Sequence, residues 1–235
     1  MIFDNVFACN AAADADPECI RISIDTKATV CVGEYSRGGQ SRGLVPVKAI
    51  DHDMFIKEKL IPVGILEPQT GASYIAFGND NKTSDLIADA MEFWVRHNQN
   101  RLVAAGIKRL VVNTDNGPEC NSHRSQFMMR MIRLAKNSGL EIHMVYYPPY
   151  HSKYNSIEHY WGGLERSWNG YLLDSIQTVI NRTANFTWRN LKTVTTTLFG
   201  SYPKGNNPEK NEKKAIEEQL SRSKTLPWWD VIIAS

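Results

Sequence analysis

At 235 residues the chain is long enough to bury a core of its own without disulfide or metal staples, and its 42% apolar and 22% charged residues are ordinary for a soluble domain. A formal net charge of +2 is too small to imply a nucleic-acid partner by itself. No apolar run reaches the roughly 18 residues of a membrane span, so no membrane partner is expected.

The N-terminus, MIFDNVFACN, has no basic start and carries Asp4 early, which excludes a secretory signal and points to the cytoplasm. Residues 1–19 are Ala- and Asp-rich and end in DADPE, which reads as a linker-like lead-in segment. Ile20, Ile22 and Ile24 then alternate with Arg21, Ser23 and Asp25, the period of a strand with one buried face. TVCVGEY extends the sheet, SRGGQSRG is a Gly/Arg/Ser loop, and LIPVGILEP and ASYIAFGN form two strands about a QTG turn.

Thr83-Ser84-Asp85 caps a helix whose apolar stripe is Leu86, Ala90, Phe93 and Trp94. RLVVNTD is a short buried strand. The next helix carries Phe127, Met131 and Leu134 on one stripe and stops at Ser138-Gly139. EIHMVYY is another strand. After a Pro-Pro turn, a helix with Ile157, Trp161, Leu164 and Trp168 on one face runs to Asn169-Gly170. Strands first and strand–helix alternation afterwards predict an α/β mixed sheet flanked by helices over residues 20–170. Residues 171–235 read as a mostly helical C-terminal extension, in which TWRNLKTVTTTLF is ambiguous between helix and strand.

Three acids fall at the ends of these elements: Asp25 on its strand face opposite the isoleucines, Asp115 after RLVVNT, and Glu158 in the first turn of the helix after the Pro-Pro turn. Taken singly, each has a plain reading: a solvent-facing strand residue, a turn-forming Asp, an acid favouring a helix dipole. Together they match what two hard divalent ions need, carboxylates from several elements at a sheet end. Glu165 shares the helix face of Glu158 but lies about 10 Å further along the axis. Asp51 and Asp53, flanking His52, read as a turn. The four cysteines contain no C-x-x-C pair and match no zinc spacing, so free thiols and an all-oxygen Mg²⁺ or Mn²⁺ site are expected, and no zinc site.

DTKATV, TDNGPE and YYPPYHSKYNSIEHYW resemble the three acid-bearing segments of DDE transposases from bacterial insertion sequences, nearest the ISAzo-type family within the mariner-like and retroviral-integrase superfamily. The similarity runs from about Ile2 to Ile233. Its most specific part is the Pro-Pro-Tyr turn followed by Asn and then Ile-Glu; 90 positions separate Asp25 from Asp115, and 43 separate Asp115 from Glu158, like the family's short second interval. The resemblance implies a ribonuclease-H-like fold, a catalytic and metal-binding triad at Asp25, Asp115 and Glu158, two Mg²⁺ or Mn²⁺ ions, and cleavage and strand transfer at transposon ends. It further implies transposon-end and target DNA as partners, a homo-oligomer on DNA, and a place at the nucleoid. Family members commonly have Pro where this chain has Ser156, a mild departure because Ser also suits helix starts. They also usually carry a helix-turn-helix region ahead of this domain, and the segment before Asp25 is too short for one. The chain is therefore expected to be the catalytic-domain portion. An inactive remnant that only binds DNA or dimerises, and a ribonuclease-H-type nuclease, are the alternatives.

Candidate phosphate contacts are Lys153 and His151 in the turn before Glu158, Arg124, Arg130 and Arg133 on a helix with no acid, and Arg37 and Arg42 in the Gly-rich loop. A solvated face is the competing reading for each. Asn116 and Asn155 flank two of the acids and either orient them or serve local turns. Tyr146, Tyr147, Tyr150, Tyr154 and Tyr160 either pack the turn or stack on a splayed base. Gly162-Gly163 weakens its helix, which close approach of another backbone or of DNA would explain.

Overall fold

The structure, a computed structural model, describes residues 1–40, 48–50, 56–148 and 154–235. The elements that build the centre are α1 (Ile2–Ala15), β1 (Cys19–Thr26), β2 (Val30–Val32), β3 (Glu58–Leu66), β4 (Ser73–Gly78), α2 (Ser84–Ala104), β5 (Arg109–Thr114), α3 (Ser125–Ser138), β6 (Glu141–Tyr146) and α4 (Ser156–Trp168). The remainder contributes α5 (Ile176–Asn185), β7 (Thr187–Trp188), β8 (Leu191–Lys192), β9 (Val194–Leu198), α6 (Lys210–Glu217), β10 (Leu220–Arg222) and β11 (Asp230–Ile233). One mixed sheet runs β10-β11-β6-β5-β1-β3-β4-β9, with β2 paired to β3. β1, β5 and β6 are parallel neighbours, while β3 lies antiparallel to β1 and to β4.

Alternation along the strands explains the layering. Ile22, Ile24, Val63, Ile65, Val112, Met144 and Tyr146 point to one face, where they pack with Leu86, Met91 and Trp94 of α2 and Phe127 and Met131 of α3. The other face holds two clusters. Leu60, Ile75 and Phe77 meet Ile157, Trp161, Leu164 and Trp168 of α4, and Val111, Val145 and Tyr147 meet Val6 and Ala13 of α1. Thr83 caps α2 by accepting the Leu86 N–H, and Gly139 ends α3 in the left-handed region at φ 69°, both as the sequence signals predict.

Two expectations are corrected. Residues 2–15 are a helix and not a linker, because Ala-rich sequence has high helix propensity and Val6 and Ala13 find an apolar sheet face to cover. The region after Gly170 is mixed and not mostly helical. Its β9 extends the sheet beside β4, and β10 and β11 extend the opposite edge beside β6. The Thr-rich run thus resolves as strand, since Thr packs well on a pleated surface that already has a partner edge.

Candidate active site

The site lies at the ends of β1 and β5 and the start of α4. Asp25 is on the α4 face of β1, where its Oδ2 accepts the Trp161 indole N–H at 3.0 Å. The indole reaches it because Asp25 pairs with Gly64 of β3, and a Cβ at Gly64 would collide with the Trp161 ring. Burial first, and then the charges of Glu158 and Asp115, push the Asp25 carboxyl up to about 6; a backbone hydrogen bond at Thr26 and the charge of Lys82 pull the other way. Asp25, from one segment, therefore feels both other predicted acids, from two distant ones.

Asp115 follows β5 directly. Its Oδ1 accepts from the Gly117 N–H at 3.3 Å and from the Cys120 thiol at 3.5 Å. Gly117 lets the turn close under it, since a Cβ there would sit 3.2 Å from both carboxylate oxygens. Beside it, Asn116 Oδ1 is buried without a hydrogen-bond partner among the described residues.

Glu158 is the third residue of α4, and the position of that helix is set from β1. Asn155 precedes the helix but does not cap it with its side chain. Instead Ser23 Oγ accepts the Ile157 N–H at 2.9 Å and donates to Asn155 Oδ1 at 2.5 Å, while Asn155 Nδ2 donates to the Ile24 carbonyl at 3.0 Å. Ser23 and Asn155 are fully buried. Sequence reasoning weighed Asn155 and passed over Ser23, because a strand serine carries no signal that it accepts from a helix N–H 134 positions away.

A small cleft between Asp25 and Asp115 is also lined by Thr26, Thr114, Lys82, Glu119 and Cys120. Glu119 and Lys82, 3.7 Å apart, were missed. Nothing in the local sequence singles out Glu119, and only the fold carries the loop before α2, with Lys82, to the same place. Glu165 is engaged elsewhere, in ion pairs with Lys27 and Arg37. Burial pushes its carboxyl up, yet those two cations outweigh it and hold it below the ordinary range.

The predicted phosphate contacts separate. Arg130 is corrected: it is 7% exposed and bound to Asp85, Asp89 and Glu92, because α3 turns that side against α2. Arg37 is pinned by Glu165 and lies 5.1 Å above the Trp168 ring. Arg133 is 60% exposed, with Glu92 at 3.6 Å. Arg124 lines a groove with Lys82, Glu119 and Lys204 that adjoins the acid cleft. His151, Lys153, Arg42 and Tyr150, like Asp51, His52 and Asp53, lie outside the described residues. Tyr146, Tyr147 and Tyr160 are buried packing residues, whereas Tyr154 is exposed and meets Phe3 edge-on. Gly163 admits the Phe186 and Trp188 rings, and not a backbone; Gly162 faces open space.

A mixed sheet with acids at the ends of adjacent parallel strands and in the first turn of the facing helix has the architecture of the ribonuclease-H-like class. The chain belongs to the Rhodopirellula transposase DDE domain family, whose model matches residues 1–235. Its fold is similar to that of the Mos1 transposase in a paired-end complex with left transposon end (TM-score 0.50, 10% identity). It is equally similar to the Mos1 mariner paired-end complex with Mn (TM-score 0.51, 11% identity). Both matches cover 74% of this chain and 49% of the other, so the chain spans about half the length of those transposases. No curated protein sequence matches it. Among the described residues no helix is long and apolar enough to cross a membrane.

Proposed function

We propose that this chain carries the phosphodiester chemistry of a DNA transposase: metal-dependent cleavage and strand transfer at transposon ends, with Asp25, Asp115 and Glu158 as metal ligands. The observation that carries this reading is that Asp25 and Asp115, at the ends of adjacent parallel strands, line one cleft, with the charge of Glu158 near enough to help raise the Asp25 carboxyl. A half-buried carboxylate cluster of this kind is unfavourable until a cation neutralises it. The donor set is all oxygen, with the orphaned Asn116 Oδ1 beside it, which suits two hard ions, Mg²⁺ or Mn²⁺. When bound, such ions supply activation of an attacking water or 3′-hydroxyl and charge neutralisation at the leaving oxygen.

The protein's own part is positional. Trp161 fixes one oxygen of Asp25, Gly117 and Cys120 fix one oxygen of Asp115, and the Ser23–Asn155 pair fixes the helix end that bears Glu158. Lys82, Arg124 and Lys204 rim the adjoining groove and would hold a phosphate backbone against the acids. Transposon-end and target DNA are the partners in this reading, with a homo-oligomer assembled on DNA at the nucleoid in the cytoplasm. The Mos1 complexes, which pair two ends, lend support to that assembly.

The test is cleavage of duplexes bearing the element's own ends, in Mg²⁺ or Mn²⁺. The wild type should nick them, and Asp25→Asn, Asp115→Asn and Glu158→Gln should each abolish nicking while leaving the fold intact. Equal cleavage by the three variants would sink the assignment.

A further inference from the structure

The geometry points to a second metal site, unrelated to the acid cleft, in which Cys9, His143 and Asp230 bind a single borderline-soft divalent cation of the zinc class. These residues come from α1, β6 and β11. Their ligand atoms all lie within 4.8 Å of one another. His143 Nε2 is 2.9 Å from Asp230 Oδ1, and Cys9 Sγ is 3.7 Å from Asp230 Oδ2. A tetrahedral zinc ion with ordinary bond lengths holds such atoms about 3.3–3.6 Å apart, so with one Asp230 oxygen as ligand the widest pair needs to close by about 1.5 Å at most, within reach of side-chain rotation.

The donor chemistry agrees with the spacing. Thiolate, imidazole and carboxylate together prefer zinc to magnesium. With Cys9 as thiolate and Asp230 ionised, the ligands carry two negative charges and neutralise a divalent ion. Binding expels the Cys9 proton to solvent, and the His143 proton moves to the other ring nitrogen. The carboxylate already has an orienting partner: Asn5 Nδ2 donates to Asp230 Oδ2 at 2.9 Å, the kind of outer contact that holds a metal ligand in place. His143 and Asp230 are each 14% exposed, which leaves room for water as a fourth ligand.

A nucleophilic triad of the same residue types does not fit. The Cys9 thiol donates to Asp230 and not to His143, so the imidazole is not placed to take its proton. The consequence of ion binding would be mechanical. It would staple α1 and β11, near opposite ends of the chain, to β6, third from one edge of the sheet. No zinc signature marks these residues in the sequence, because 134 and 87 positions separate the three.

Cobalt(II) titration of the metal-free chain, in excess Mg²⁺ to saturate hard-ion sites, tests this. The expected result is a thiolate-to-cobalt charge-transfer band with the strong visible bands of four-coordinate cobalt, removed by zinc. The band should vanish in Cys9→Ser, persist in Asp25→Asn, and need about tenfold or more free cobalt in Asn5→Ala. A wild-type chain that shows no thiolate band overturns the proposal. So does a band unchanged in Cys9→Ser, which would assign it to another cysteine. Should Cys9→Ser fail to fold, anomalous diffraction from zinc-soaked wild-type crystals decides: a peak at Cys9 supports the site, and a peak only elsewhere, or none, overturns it.

Discussion

Ser23, in the middle of a strand, and Asn155, just before a helix, form one buried hydrogen-bonded unit that caps α4 from outside the helix. Ser23 Oγ accepts the Ile157 N–H, a donor that the helix itself cannot satisfy, and Asn155 returns its amide to the Ile24 carbonyl. The same β1 backbone carries Asp25 two residues later. The unit therefore couples the strand that bears one acid to the helix end that bears Glu158.

Ser23→Ala should lower stability by about 1–3 kcal/mol, since it strands a buried amide oxygen and a buried N–H. Cleavage should fall further than that loss of folded protein explains, because the start of α4 loses its tie to β1. Urea melts and nicking rates at a temperature where the variant is fully folded separate the two. Nicking at the wild-type rate under those conditions would remove the positioning role.

Gly64→Ala tests the Asp25–Trp161 contact without touching either residue. A methyl at Gly64 meets the indole ring, so Trp161 must move and its N–H leaves Asp25. Overpacking of this kind costs about 1–3 kcal/mol. Tryptophan fluorescence should shift, and Mg²⁺-dependent nicking should decline. An unchanged melt and unchanged rate would mean that the ring yields freely and that the hydrogen bond is dispensable.

The raised Asp25 carboxyl sets a pH dependence. Its folded value of about 6 exceeds the ordinary 3.8, so the folded state takes up the proton more readily than the unfolded chain. Without metal, this group's contribution to stability is fully present below about pH 4, is lost as pH rises through about 6, and levels off above. Mg²⁺ should accordingly raise the melting temperature little at pH 4 and more at pH 7. Asp25→Asn should stabilise the metal-free protein at pH 7 by about 1–3 kcal/mol while abolishing the Mg²⁺ effect. Melts at two pH values, with and without Mg²⁺, check both signs.

The strands and helices of residues 20–170 were legible because each carries its own period and its own caps: Ile20, Ile22 and Ile24 at period two, Thr83 and Gly139 at helix ends. The three acids were legible as positions at element ends. What could not be read were relationships made only by the fold. Ser23 capping α4, Gly64 admitting Trp161, Lys82 and Glu119 arriving beside Asp25, and Cys9 meeting His143 and Asp230 all depend on strand order and register. Residues 2–15 were misread because their apolar stripe is thin. The helix is held by a sheet face that local sequence does not reveal.

Arg130 lies within α3 and Arg124 is its N-cap residue, yet the two predict opposite outcomes. Arg130 is buried among Asp85, Asp89 and Glu92, so Arg130→Met leaves three acids without their shared cation and should cost about 3–5 kcal/mol. Non-specific DNA binding by whatever remains folded should change little. Arg124 donates to the Asn206 carbonyl on the groove wall, so Arg124→Ala should cost no more than about 1 kcal/mol. If Arg124 contacts a phosphate, binding of duplex DNA weakens for every sequence alike, and the slope of log affinity against log salt falls by about 1. Fluorescence anisotropy across a salt series measures that slope. The wild type itself should bind weakly and with little sequence preference, since a net charge of +2 gives little long-range attraction and the groove offers phosphate-type groups. An Arg124→Ala chain with an unaltered slope would move the DNA path away from this groove, and Arg133, exposed on α3, would be the next residue to change.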